Sequence, residues 1–223
     1  MSAQGVHKIT ADFEAALCKY TGAPYAVAVD NQSNALFLAL YYEANVGSRL
    51  IPDKVTIPCN TYPSVPCEII HAGFGVKFSN RFAEVSDDGC LTGPYQLWPM
   101  NVIDSALRFT SDMYEPEMHM CLSFTGPYKH LKLGKGGAIL TDNEEAYKWF
   151  KKARFSGRDE CSYHTDDFDK DPVIGWNFYM MPEIAARGLL LMGQFYYSDG
   201  HPKSNDDLTL PYPDLSKFKI YQQ

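Results

Sequence analysis

The stretch Pro24–Gly47, PYAVAVDNQSNALFLALYYEANVG, decides the fold. YAVAVD is a short apolar run of strand length. SNALFLALYYEANVG behind it has helical character, with Ser33 near its start and Gly47 after its end. Together they make a strand-to-helix unit, and the plan recurs outward from it. KVTIPCN leads into TYPSVPCEIIHAG and then into the apolar FGVKF, while MNVIDSA, MHMCLSF and GGAILTD supply three more strand candidates. Upstream, ITADFEAALCKYTG reads as a helix with Thr10 as N-cap, Phe13 and Leu17 at helical spacing, and Gly22 past its end. Downstream, MPEIAARGLLLMGQFYY is a strongly apolar helix that ends near Tyr197.

Strands alternating with helices argue the α/β class, here three layers (α/β/α) with a mostly parallel central sheet. Two segments break the rhythm. Residues 79–99 are rich in turn formers and 155–175 are polar and acidic, so both read as long loops. The expected organisation is one large domain over residues 1–200 and a short Pro- and Asp-rich tail over 201–223.

Composition narrows the function classes. The 27 acidic and 20 basic side chains give 223 residues a net charge of -7, which disfavours a nucleic-acid surface but not a local pocket for one phosphate. Six cysteines (Cys18, Cys59, Cys67, Cys90, Cys121, Cys161) form no C-x-x-C pair, which suits reduced thiols in a cytoplasmic protein. The N-terminus has no basic-then-apolar signal pattern, and no run approaches the roughly 20 apolar residues of a membrane span. No metal site is expected. Asp167, Asp169 and Asp171 have D-x-D-x-D spacing, but Pro172 and Phe178 stand where a calcium loop needs Gly and Glu. The histidines, His130 and His164 among them, show no zinc-ligand spacing. A phosphate-binding P-loop also fails, because Lys129 stands where its first Gly belongs and no Ser or Thr follows Gly134–Lys135.

Ligands of a parallel α/β sheet bind at the carboxyl ends of its strands. Four features fall there. After YAVAVD come Gln32, Ser33 and Asn34, whose hydroxyl and amides suit a phosphate, although Ser33 alone reads equally as a helix cap. After VTIPCN comes Tyr62, an aromatic platform or, taken singly, a core tyrosine. After NVI comes Asp104, a strand-end acid that in isolation could be a turn residue. Ser123–Ala146, SFTGPYKHLKLGKGGAILTDNEEA, then holds Lys129, Lys132 and Lys135 among glycines. Phosphate cradle, aromatic plate, carboxylate and Gly-flanked lysine, in that order, are what a pyridoxal 5'-phosphate site requires.

These segments resemble the DegT/DnrJ/EryC1/StrS family, pyridoxal phosphate-dependent aminotransferases of fold type I that aminate nucleotide-linked keto sugars. The resemblance runs over most of residues 10–195, through FEAALCKYTGAPYAVAVDNQSNALFLAL, VTIPCNTYPSVPCEIIHAG, VIDSA, SFTGPYKHLKLGKGGAILTDNEE and GWNFYMMPEIAARGLLL. It implies that Lys129 is the Schiff-base lysine, spaced to Gly134, Gly136 and Gly137 as in the family's K-x-L-x-x-G-x-G-G. Lys132 and Lys135 fall on variable positions. It further implies Asp104 at the pyridine nitrogen, Tyr62 against the ring, Ser33 and Ser123 at the phosphate, and Asn177 lent by the partner subunit of a homodimer. Glutamate is the implied amino donor and a nucleotide sugar the implied substrate.

This sequence also departs from the family. Leu107 stands where the family has Gln or His and can donate no hydrogen bond. One extra residue separates Ser123 from Lys129, another displaces the register at Asn177, and Gln32–Ser33 replaces a Gly-Thr pair. The C-terminal small domain is expected to be absent or vestigial. A second expectation follows from these departures: a degenerate homologue that binds a ligand or partner without turnover.

Overall fold

The computed structural model describes residues 4–47, 51–160, 169–197 and 207–222. Cys161, His164 and Asp167 lie outside them.

Helix α1 (Gln4–Thr21) precedes strand β1 (Tyr25–Val29) and helix α2 (Gln32–Asn45). The α2 cap is Asn31, whose extended backbone lets its side chain accept the Asn34 N–H at 2.9 Å. The helix ends where the N–H groups of Val46 and Gly47 both turn back to the Tyr42 carbonyl. Between these stops Ala35 to Leu40 are all buried, and each leucine among them contributes about 1.5–3 kcal/mol. Thr10, expected as a cap, instead sits buried in mid-α1, because the helix already begins at Gln4.

The chain continues through β2 (Lys54–Ile57), α3 (Ser64–His71), β3 (Gly75–Phe78), β4 (Glu84–Val85), β5 (Cys90–Thr92), β6 (Tyr95–Gln96), β7 (Val102–Ser105), β8 (His119–Ser123), β9 (Gly137–Thr141), α4 (Glu144–Ala153), α5 (Pro182–Tyr197) and β10 (Thr209–Pro211). The central sheet has the order β1-β9-β8-β7-β6. Only β7 and β8 pair parallel in it, so the expectation of a mostly parallel sheet is corrected to a mixed one. The reason is connection length. A parallel crossover needs about a dozen residues or more, whereas residues 97–101 merely turn β6 back onto β7, with the Leu97 N–H on the Val102 carbonyl. The parallel pair β2·β3 continues this arrangement through an antiparallel bridge between Thr56 and Trp98. Residues 79–99, expected as a long loop, therefore carry β4, β5 and β6.

Alternating strand residues separate two cores, which makes the structure three-layered. Ala26, Ala28, Met120, Leu122, Ala138 and Leu140 pack with Phe13 and Leu17 of α1 and Ala185 and Met192 of α5. Val27, Val29, Cys121 and Ile139 face α2 and Trp149 and Phe150 of α4. A buried charge network ties the layers together. Arg154, fully buried, donates to Glu14, to the Ala28 carbonyl and to Glu160, while Glu14 also accepts the Ala28 N–H at 2.9 Å. In the polar segment, Asp169 accepts from Lys152 at 2.9 Å and from the N–H of Asp159 and Asp171, so it is held by protein donors.

The tail is anchored to the preceding elements. Strand β10 pairs with β5, Asp207 receives both Nε and Nη2 of Arg108 at 2.7 Å, and the Leu215 N–H reaches the Cys59 carbonyl at 2.8 Å. Residues 207–222 thus pack on the preceding elements, with Leu215 buried and the β10 backbone paired to β5.

Candidate active site

Glycine places the lysine loop. Residues 124–136 join β8 to β9, with Phe124, Leu131 and Leu133 buried and the Leu133 N–H on the Phe124 carbonyl. Lys129 lies on the inward side of this loop, whereas Lys132 and Lys135 are exposed. Gly136 has φ +124, a conformation that side chains disfavour, and a Cβ on Gly137 would lie 2.6 Å from the Gln32 nitrogen. The G-x-G-G spacing therefore lets β9 start against the first turn of α2, and this brings Lys129 and residues 31–33 to one cavity.

That cavity is about 400 Å³. Its walls are Asn31, Gln32 and Ser33 from the start of α2, Ser123, Thr125, Gly126, Tyr128 and Lys129 from the loop after β8, Tyr62 and Ala106, and Leu210 and Tyr212 from the tail. Ser33 and Ser64 share a hydroxyl–hydroxyl hydrogen bond of 2.6 Å, and the positive end of α2 faces the same space. The Lys129 ammonium donates to the Ala106 carbonyl at 2.5 Å. Burial draws the pKa of this amine below the ordinary lysine value, against the opposing pull of Asp104.

Asp104, on β7, is 4% exposed and does not line the cavity. It accepts from Gln32 Nε2, from the Tyr95 hydroxyl at 2.9 Å and from the Ala106 N–H at 2.9 Å. Burial nevertheless raises its pKa above the ordinary carboxyl value, outweighing these donors and the nearby Lys129 charge. Burial, then Asp104 and Tyr62, push the Tyr212 phenol up to about 12.

Of the expected site residues, the structure gathers Gln32, Ser33, Tyr62, Ser123 and Lys129 around the cavity, with Asp104 behind Gln32. Two lie elsewhere. The Asn34 amide donates to Asp30 at 2.7 Å and its N–H is consumed by the Asn31 cap, so it points away from the cavity wall. Asn177 is exposed and bridges Phe155, outside this chain's own cavity. Gln32, expected at a phosphate, turns its side chain to Asp104 instead. Leu107 packs into the core and leaves the cavity without a donor at that point. Tyr95 and Tyr212 were missed, since each reaches the site only through a strand pairing that brings distant sequence together. Tyr128 and Thr125, beside Lys129, were legible from proximity alone.

A second cavity of about 410 Å³ is lined by Glu43, Glu117, His119 and Asp142 and collects none of these residues. Among the described residues no group of three His, Cys, Asp or Glu side chains could hold a metal ion, the described cysteines are free, and no helix is long and apolar enough to cross a membrane.

Comparison with known proteins agrees with the fold. Residues 5–86 match the DegT/DnrJ/EryC1/StrS aminotransferase family. No curated protein matches the chain. Helicobacter pylori PseC, an aminotransferase involved in the biosynthesis of pseudoaminic acid, is similar at TM-score 0.65 and 15% identity over 85% of this chain and 58% of PseC. The sugar aminotransferase CalS13 from Micromonospora echinospora gives TM-score 0.62 and 19% identity over 83% of this chain and 61% of that one. NtdA from Bacillus subtilis, solved with bound cofactor PMP, gives TM-score 0.59 and 20% identity over 82% of this chain and 47% of that one. At these identities the likeness establishes the fold, and the chain spans about three fifths of the length of PseC and CalS13.

Proposed function

Because residues 5–86 carry the family match and the fold beyond them is that of sugar aminotransferases, we propose that this chain is the cofactor-binding part of a pyridoxal phosphate-dependent aminotransferase acting on a nucleotide-linked keto sugar. One observation carries the reading: a buried lysine, its amine eased toward the neutral form, faces a cavity rimmed by hydroxyls and a helix N-terminus.

The residues fit the group chemically. Lys129 offers a nucleophilic amine; Ser33, Ser123 and Thr125 with the first turn of α2 offer donors for a phosphate; the exposed Tyr62 ring stands at the mouth; and Asp104 is a carboxylate directly behind the cavity wall, bonded to Gln32 of its lining. When bound, the cofactor supplies an electron sink for negative charge developing at the amine-bearing carbon. The chain's own part is local. Lys129 Nζ exchanges its hydrogen bond with Ala106 for the ligand and holds or moves a proton at that nitrogen. Asp104, behind Gln32, would supply a carboxylate for a cationic ring, and Tyr62, Tyr128 and Tyr212 narrow access for water.

Glutamate as donor and a homodimer with Asn177 lent across its interface complete the proposal and rest on the family resemblance, and a cytoplasmic setting rests on the cysteine pattern. A second reading, ligand binding without turnover, is favoured by the engagement of Asp104 with Gln32 and Tyr95 and by Leu107 facing the core. Pyridoxal phosphate followed by borohydride, with mass spectrometry of the product, tests the first reading. An adduct on Lys129, together with loss of the aldehyde absorbance on adding glutamate, is the expected result. An adduct without response to glutamate selects binding only, and no adduct in the folded protein overturns the cofactor site.

A further inference from the structure

Gln32 stands between the cavity and the acid. It lines the cavity, whereas Asp104 does not, yet its side chain reaches through to donate Nε2 to Asp104 Oδ1 and, more weakly, to the Cys121 carbonyl at 3.4 Å. Oδ1 also accepts the Ala106 N–H, and Oδ2 accepts the Tyr95 hydroxyl, itself 2.6 Å from Thr61 Oγ1. The carboxylate is thus engaged by three protein donors, two of them from residues that line the cavity, Gln32 and Ala106, and of these two only Gln32 donates through a side chain, which can swing away. Ala106 N–H is backbone and Tyr95 is held on both sides, so neither offers that freedom.

We propose that Gln32 competes with the bound ligand for Asp104, so that a protonated heteroaromatic ring nitrogen can pair with this carboxylate only after displacing the Gln32 amide. The inference rests on the cofactor reading above. Gln32 is a positioning residue here: it acts on the ligand through the acid that it occupies. A ligand that must break this hydrogen bond to a carboxylate loses about tenfold in affinity or more. With the amide in place, the ring nitrogen of a bound pyridine stays unprotonated at neutral pH, and the acid is paired with protein.

The experiment uses pyridoxal 5'-phosphate labelled with 15N in the ring, added to the full chain and to Gln32→Ala and Gln32→Asn. Alanine removes the amide; asparagine keeps it but is one methylene too short to span the same gap. Both sit at the first position of α2, where melting temperature checks that folding is kept. The expected result is a 15N shift of an unprotonated ring nitrogen in the parent chain, a protonated nitrogen in both variants, and binding about tenfold tighter in the variants. Adduct formation in the variants alone gives the same answer in its strongest form. A Lys129 adduct with the nitrogen protonated in all three proteins, or variants that bind no tighter, overturns the competition while leaving the cofactor reading intact. No Lys129 adduct in any of the folded proteins overturns both.

Discussion

Lys129 and Asp104 are joined through one residue: the Lys129 ammonium donates to the Ala106 carbonyl at 2.5 Å, and the Ala106 N–H donates to Asp104 at 2.9 Å. The two groups expected to do chemistry are therefore held at a set separation by backbone, before any ligand arrives.

Removing the lysine separates its chemistry from its neighbours. Lys129→Met should keep the fold, since the stem packs in a site that already disfavours charge, and should abolish the borohydride-trapped adduct. Lys132→Ala, at an exposed position of the same loop, should leave the adduct unchanged. Intact-mass analysis after reduction checks both.

Asp104 makes a pH prediction. Its folded pKa is raised by burial, so the folded state binds a proton more tightly than the unfolded chain does. Stability from this group is complete below the ordinary carboxyl range and is lost as pH rises from there to the raised folded value. Asp104→Asn should remove that dependence, so the melting temperature of the variant relative to the parent should climb across the window and then level off. A constant offset between the two melting curves would contradict it.

Arg154 should be costly to lose. Its removal leaves buried Glu14 with Lys151 and the Ala28 N–H as its partners among the described residues, and Glu160 stripped of the guanidinium that, with Lys151, overcomes burial and holds its pKa below the ordinary value. Breaking one side of a buried pair costs about 3–5 kcal/mol, so denaturant unfolding of Arg154→Met should show a loss of that order.

Gly137→Ala should affect site and fold together. The new Cβ meets the Gln32 nitrogen and the Asn31 backbone within 3 Å, and overpacking of this kind costs about 1–3 kcal/mol. Because the clash is with the first turn of α2, ligand affinity should fall along with stability, which a binding titration beside a melt would detect.

How far the sequence foretold this arrangement depends on the range of the interaction. The β1–α2 unit was legible because its apolar strand, cap and stop are all local, although the cap proved to be Asn31 and not Ser33. That Lys129, among three lysines, lines the cavity agrees with the spacing to Gly134, Gly136 and Gly137 that the family resemblance supplies. Strand direction was not legible, since the β6–β7 hairpin depends on Tyr95 opposing Asp104, a pairing that local periodicity does not encode. Gln32 was misplaced for a related reason: its position at a helix start suggested a phosphate, but its length let it reach an acid on another strand.

The docked tail has a consequence for the timing of biogenesis. Tyr212 and Leu210 complete a wall that begins at Asn31, and the pairing that holds them links β10 to β5 across more than a hundred residues of intervening chain. During synthesis β1 must wait for its partner β9, and the finished cavity must wait further, for emergence of residue 212 from the ribosome. Ligand capture by a nascent chain is then a late event, and a ligand added during translation should protect from proteolysis only those chains long enough to have closed that wall.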